Sequence, residues 1–317
     1  VLGVAMNVAV DAVVFLLLVS AAVVGLVTVD QSPPAPSGEA DAVADALATT
    51  TAQVDYSLAP GVRGMAASDA ASERPDIALD SPELDRTAHD SLAGLLARAS
   101  TTTSGIDLSG GANATTAPDD VSPLTRTRES FRRAVGDAVR ARTGATVRID
   151  ATWQPYSGAP VGGAVGVGPA PPADSVHAAT LVVPAGVDSI PASASTDFES
   201  LGAAVAERTV AVLVPPGPAR ITLRGDDPAA ALVRHRYARF EAETNASLAE
   251  PLATEDTETA NARIAAALAP RFTEELRARY ETPRDAADAV SVSSVRIVVR
   301  TWSPTPERVQ SSVPEAR

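Results

Sequence analysis

The sequence predicts an α+β fold: an N-terminal transmembrane helix, then an extracytoplasmic mixed domain built on an antiparallel sheet. Three observations lead there. One 18-residue stretch carries no charge, helical and alternating periodicities follow one another in irregular order, and a helix-then-strand pattern occurs twice with the same ending. Strands and helices that do not alternate regularly exclude a doubly wound parallel sheet.

From Ala12 to Val29 the chain reads AVVFLLLVSAAVVGLVTV. At about 1.5 Å per residue this run crosses most of a bilayer core, and its only polar side chains are Ser20 and Thr28. Residues 1–11 are read as a short cytoplasmic tail and 12–29 as the span, in contact with membrane lipid. Asp11 and the small-xxx-small pair Ala21 and Gly25 are candidate contacts of the span with another helix, although Asp11 more simply marks the interface. No Arg lies close enough to the run for the positive-inside rule to speak. Orientation therefore rests on the short tail and on two candidate N-glycosylation triplets, Asn113-Ala114-Thr115 and Asn245-Ala246-Ser247. Both place everything from Gln31 onward outside, which makes this a single-pass protein of the cell membrane.

Residues 30–38 hold a Pro/Ser spacer, QSPPAPSG, that cannot be helical. Residues 39–123 form an N-terminal extracytoplasmic segment. Within it Val54, Tyr56 and Leu58 alternate as in a strand, and Asp80-Ser81-Pro82 signals a helix through Leu84, Ala88, Leu92 and Leu95 to about Arg98. Thr101 to Pro123 reads as a flexible loop.

Residues 124–317 form an α+β domain with two helix-strand units. In the first, Leu124, Phe131, Val135 and Val139 share a helical face, and the strand Val147, Ile149, Ala151, Trp153 follows Gly144. In the second, Ile264, Leu268, Phe272, Leu276 and Tyr280 step by four, with Pro270 expected to kink or split the helix, and the strand Val295, Ile297, Val299 follows. Both strands contain VRI and both end on TW-x-P, which contains the chain's two tryptophans, Trp153 and Trp302. A structural role, each Trp buried at a strand end, is expected for both. The second copy has one extra residue between Ile297 and Trp302, so its Trp falls on the opposite face unless a bulge intervenes. Between the units are expected a Gly/Pro-rich turn at 157–174, a strand at 177–183, a helix at 196–207, a strand at 219–223 and a helix at 228–244.

Little in this chain announces chemistry. With no Cys there is neither a disulfide framework nor a thiol nucleophile. His89, His177 and His235 lie far apart without metal-ligand spacing, and no G-x-S-x-G elbow occurs. The glycines from Gly162 to Gly168 run into Pro169, and no Lys exists to complete a phosphate loop, so they read as a flexible turn. No catalytic residue, metal or cofactor is therefore expected. Arg234, His235, Arg236 and Arg239 form a basic stripe read as facing away from Leu232, Val233, Tyr237 and Phe240. A net charge of -13 argues against nucleic acid as its partner.

All 26 basic residues are arginine, against 39 carboxylates. Acid excess without lysine resembles the proteins of haloarchaea that balance external salt with internal salt, where a strongly hydrated surface keeps a chain soluble while exposed charges are screened. An N-terminal single span with a very short tail, then an Ala/Thr-rich exterior carrying helix-to-strand units, resembles haloarchaeal anchored surface proteins of pilus-like machinery and the TadE-like pseudopilins. The resemblance implies a structural or assembly component of a cell surface or pilus-like apparatus, with secretion or pilus proteins as partners. The alternative is a membrane-tethered hydrolase or solute-binding module whose site assembles from scattered residues.

Overall fold

The computed structural model describes residues 38–66, 78–102, 104–106, 129–173, 175–225 and 228–303, and the compact unit begins at Glu39. The apolar run, residues 30–37 of the spacer, Asp11, Ala21, Gly25 and Asn113 lie outside the described residues. Among those residues no helix is long and apolar enough to cross a membrane. The described body is mixed α+β, and every strand pairing in it is antiparallel.

Helix α1 (Glu39–Thr49) buries Ala40, Ala44 and Leu47 along one stripe. Strand β1 (Thr51–Ser57) follows, then α2 (Ala59–Ala66). The helix signal at Asp80-Ser81-Pro82 is used for a single turn: the Ser81 hydroxyl accepts from the Glu83 N–H over Pro82–Leu84. The expected helix then gives way to strand β2 (Asp85–Ser91), paired with β1 so that Val54 faces Ala88, and only afterwards comes α3 (Leu92–Thr102). The misreading has a simple cause. Leu84, Ala88 and Leu92 are four apart, and a step of four keeps one face in both a 3.6-residue helix and a two-residue strand.

The main sheet has five strands in the order β3-β5-β4-β7-β6. Its members are β3 (Gly105–Ile106), β4 (Val147–Trp153), β5 (Val161–Val167), β6 (Val176–Pro184) and β7 (Ser294–Trp302), with helix α4 (Glu129–Arg140) leading into β4. β3 lies inside the segment read as a loop. The Gly-rich stretch read as a flexible turn is in fact β5, with Val161, Val165 and Val167 buried. Its glycines serve close approach. A Cβ on Gly163 would lie 2.2 Å from the Ser100 carbonyl oxygen at the end of α3, so only glycine lets that helix rest on the strand. The two TW-x-P strands, β4 and β7, are central neighbours, with Ile149 opposite Val299 and Ala151 opposite Ile297.

The remaining helices are α5 (Phe198–Leu213), α6 (Pro216–Arg224), α7 (Ala229–Thr244), α8 (Ala249–Ala253), α9 (Thr257–Arg279) and α10 (Pro283–Ala289). α5 and α9 pack closely because Gly202 admits Thr273, whose Oγ1 a Cβ there would meet at 2.1 Å. Asp197 and Asp256 cap their first turns by accepting from the N–H of Ser200 and Thr259. The Ser200 N–H and then its hydroxyl hold Asp197 below the usual carboxylate range, and the Thr259 hydroxyl and then its N–H do the same for Asp256. Three expectations change here. Residues 219–223 are part of α6, a helix started by Pro216 that buries Ala219 and Leu223 one turn apart. α9 runs unbroken through Pro270, which is exposed beside exposed Ala266, so the carbonyl released there can be met by water. Arg236 is 7 % exposed, four residues from both Leu232 and Phe240, and belongs to the core-facing stripe of α7.

Candidate functional site

Alternation in β4 and β7 divides the sheet into two unlike faces. Val147, Ile149, Ala151 and Trp153 in β4, and Val295, Ile297, Val299 and Thr301 in β7, are buried beneath the helices. The other face presents Arg148, Asp150 and Thr152 beside Arg296, Val298, Arg300 and Trp302. Register sets Arg148 directly opposite Arg300, and Asp150 relieves the like-charge pairing. One of its oxygens accepts from Arg148 Nε at 2.8 Å and the other from Arg300 Nη1 at 2.6 Å, while Arg148 Nη1 donates to the Gly168 carbonyl. Two guanidiniums and one carboxylate leave the centre of this face cationic in a chain of net charge -13. Trp302 is half-buried at one end, and Val182 of β6 is 62 % exposed. Tryptophan, arginine and aliphatic side chains on one accessible sheet face are the composition from which protein interfaces draw their energy.

A second cluster is buried. Glu275 of α9 is 1 % exposed and accepts from the Tyr156 hydroxyl at 2.9 Å and from Arg271 Nε at 2.5 Å. Arg279, 3.7 Å from the same carboxylate, donates to the carbonyls of Ser157 and Gly158, and its guanidinium lies 5.5 Å from the centre of the Tyr156 ring. Burial, and then the neighbouring Glu275 charge, push the Tyr156 hydroxyl far above the usual phenol range, so it stays protonated and donating. Both carboxylate oxygens are engaged. The arrangement is a clamp that fastens the turn between β4 and β5 to α9.

A cleft of about 530 Å³ opens between the short 3₁₀ turn Ala192–Thr196, α10 and the start of β7, and Ser189, Ser195, Ser293, Arg284 and Asp288 contribute its polar lining. Among the described residues no group of three His, Asp or Glu side chains is placed to hold a metal ion.

Of the residues singled out in the sequence, Trp153 is fully buried and its indole N–H donates to the Val292 carbonyl at 2.9 Å. Trp302 is not buried with it. β7 keeps continuous register with β4 and β6 through Thr301, no bulge intervenes, and the extra residue puts Trp302 on the accessible face. Asn245 is exposed at the end of α7. His89 and His177 are exposed, and His235 is half-buried with its pKa lowered, first by burial and then by Arg239. Sequence reasoning passed over both ionic clusters. The spacing Arg271, Glu275, Arg279 was visible as one helical stripe and Arg148, Asp150 as one strand face, but Tyr156 and Arg300 join them only through the fold.

Fold and surface together define a fully antiparallel α+β body organised on a five-stranded sheet with one accessible face. The chain belongs to a family of unknown function, DUF7284, which it matches over residues 10–302. That span includes the apolar run Ala12–Val29 together with the body, and it closes on Trp302, the last residue of β7. No curated protein and no solved structure matches the chain.

Proposed function

We propose that this protein is a single-pass, membrane-anchored component of a halophilic cell surface or pilus-like apparatus, with its body outside the cytoplasm and an assembly role for the accessible sheet face. The observation that carries the reading is one of layout. An uncharged span is joined by a Pro/Ser spacer to a folded body that offers Trp302, Val182 and a cationic centre on one face. Residues 12–29 contact lipid, and pilus-like or secretion proteins are the partners this face would meet.

The anchoring is tested by Gly217→Cys, since residue 217 is exposed, an added Cβ there meets nothing within 4 Å, and the chain has no other cysteine. Labelling by an impermeant thiol reagent in intact cells is expected, and labelling only after lysis reverses the orientation. A photo-crosslinking residue at Thr180 should capture a surface or secretion component that the same residue at Asp45 on α1 does not; equal capture at both sites removes the assembly role from this face. Halophilic origin predicts that the melting temperature of the full chain falls between about 1 M and about 0.1 M salt, as the Debye length grows from about 3 to about 10 Å. Unchanged melting would contradict it.

The cleft favours a second reading, a tethered module for polar solutes. A solute that raises the melting temperature of the native chain but not of Arg284→Ala would transfer the function there.

A further inference from the structure

Two asparagines lie among the described residues, and the fold treats them in opposite ways. Asn261 is 9 % exposed, its amide donates to the Val214 carbonyl at 2.7 Å, and its side-chain oxygen accepts from the Tyr237 hydroxyl at 2.9 Å. It is followed by Ala262-Arg263 and forms no acceptor triplet. Asn245 is exposed and stands in Asn245-Ala246-Ser247. It ends α7 in the left-handed conformation, φ 56° and ψ 21°, which asparagine tolerates better than most residues.

The backbone around Asn245 is held from every side. Its own N–H donates to the Glu241 carbonyl, Ala246 N–H donates to Thr244 Oγ1, Leu248 N–H donates to Glu241 Oε1, and Arg263 Nη1 donates to the Ser247 carbonyl at 2.9 Å. Burial then alternates: Ala246 and Leu248 are 8 % and 0 % exposed, while Asn245 and Ser247 are exposed. Among the described residues no hydrogen bond is made to the Asn245 amide group or to the Ser247 hydroxyl. The two side chains of the triplet that a glycosyl transfer must engage are therefore both presented at the surface, on a turn whose described hydrogen bonds use neither.

We infer that Asn245 is a site of N-linked glycosylation, an inference that rests on the body lying outside the cytoplasm. The donor it requires is an oligosaccharide held through its anomeric carbon on a lipid phosphate or diphosphate. Asn245 Nδ2 bonds to that carbon, the bond from the carbon to the phosphate oxygen breaks with its electron pair leaving on the phosphate, and one of the two amide protons passes, directly or through water, to the released lipid phosphate or diphosphate. The Ser247 hydroxyl is the second side chain of the triplet that such a transfer requires.

The chain's own arginines provide the measurement. Cleavage after Arg239 and Arg263 releases residues 240–263 as one peptide containing a single acceptor triplet. In full-length protein taken from the membranes of its own cells, this peptide should carry added hexose-type mass on Asn245. Ser247→Ala should abolish the addition without disturbing the fold, because among the described residues the Ser247 hydroxyl makes no hydrogen bond and its carbonyl, which accepts from Arg263, is kept; Ser247→Thr should preserve it. An unmodified peptide from protein whose Gly217→Cys form is labelled from outside overturns the inference while the topology stands. If Gly217→Cys is labelled only after lysis, the exterior reading itself has failed. Added mass that persists in Ser247→Ala also overturns the assignment.

Discussion

The ends of β4 and β7 carry the same four-residue motif and meet opposite fates. Trp153 is wholly enclosed, hydrogen-bonded to Val292, and followed by a turn clamped onto α9 through Tyr156 and Glu275. Trp302 ends the neighbouring strand half-exposed, with Val176 of β6 as its cross-strand partner. Trp153 comes four positions after Ile149, whereas Trp302 comes five positions after Ile297. Side chains alternate strictly along a strand, so a single added residue moves the largest side chain of the motif from core to surface. The position that matches Trp153 in facing is occupied in β7 by Thr301, which is fully buried.

The largest effect expected from breaking this contrast is Trp153→Ala, which should lower unfolding free energy by about 3 to 5 kcal/mol, as truncating an enclosed aromatic does. Denaturant unfolding measures it, and a loss below about 1 kcal/mol would show that β4 does not depend on its Trp. Next comes Glu275→Ala. It removes the centre of the clamp that follows Trp153 and should cost about 3 kcal/mol, the scale for breaking a buried ion pair. Trp302 at the β7 end is only half-buried, so a cost of the Trp153 size should not appear there.

Thr301→Val sharpens the comparison from the other side. The Thr301 hydroxyl is buried without a hydrogen-bond partner among the described residues, and replacing it by a methyl should raise stability by about 1 kcal/mol. A loss instead would mean that the hydroxyl is satisfied in solution. The smallest change in stability belongs to Trp302→Ala, about 1 kcal/mol or less, because the side chain is only half-buried. The same variant should abolish photo-crosslinking from Thr180, whereas Trp153→Ala at a temperature where it stays folded should not. A Trp302 variant that melts like Trp153→Ala would return both tryptophans to one structural role.

Much of the fold was legible in the chain. The strand β4, the helices α4, α7 and α9 and the edge strand β6 stand near where their periodicities place them, because each has one face buried and local spacing reports facing directly. The parity of Trp302 was also readable as a count. The interval from Leu84 to Leu92 was not, since its step of four is common to both periods. β5 was hidden because its glycines look like flexibility until the end of α3 is seen resting on Gly163. α6 was misread because alternation within Ala219 to Leu223 resembles a strand, although no neighbouring strand is there to pair with it among the described residues.

The sequence by itself determined the class of the body, its acidic lysine-free surface, the uncharged run ahead of it, and which residues of each periodic segment share a face. All of these follow from composition or from distances of a few residues along the chain. Only the tertiary structure decided that β4 and β7 are neighbours, that Arg148 and Arg300 share Asp150, and that Tyr156 closes the clamp on Glu275. Those partners are 119 to 154 residues apart, and no local pattern carries the register that brings them together, because register is set by how whole faces are covered.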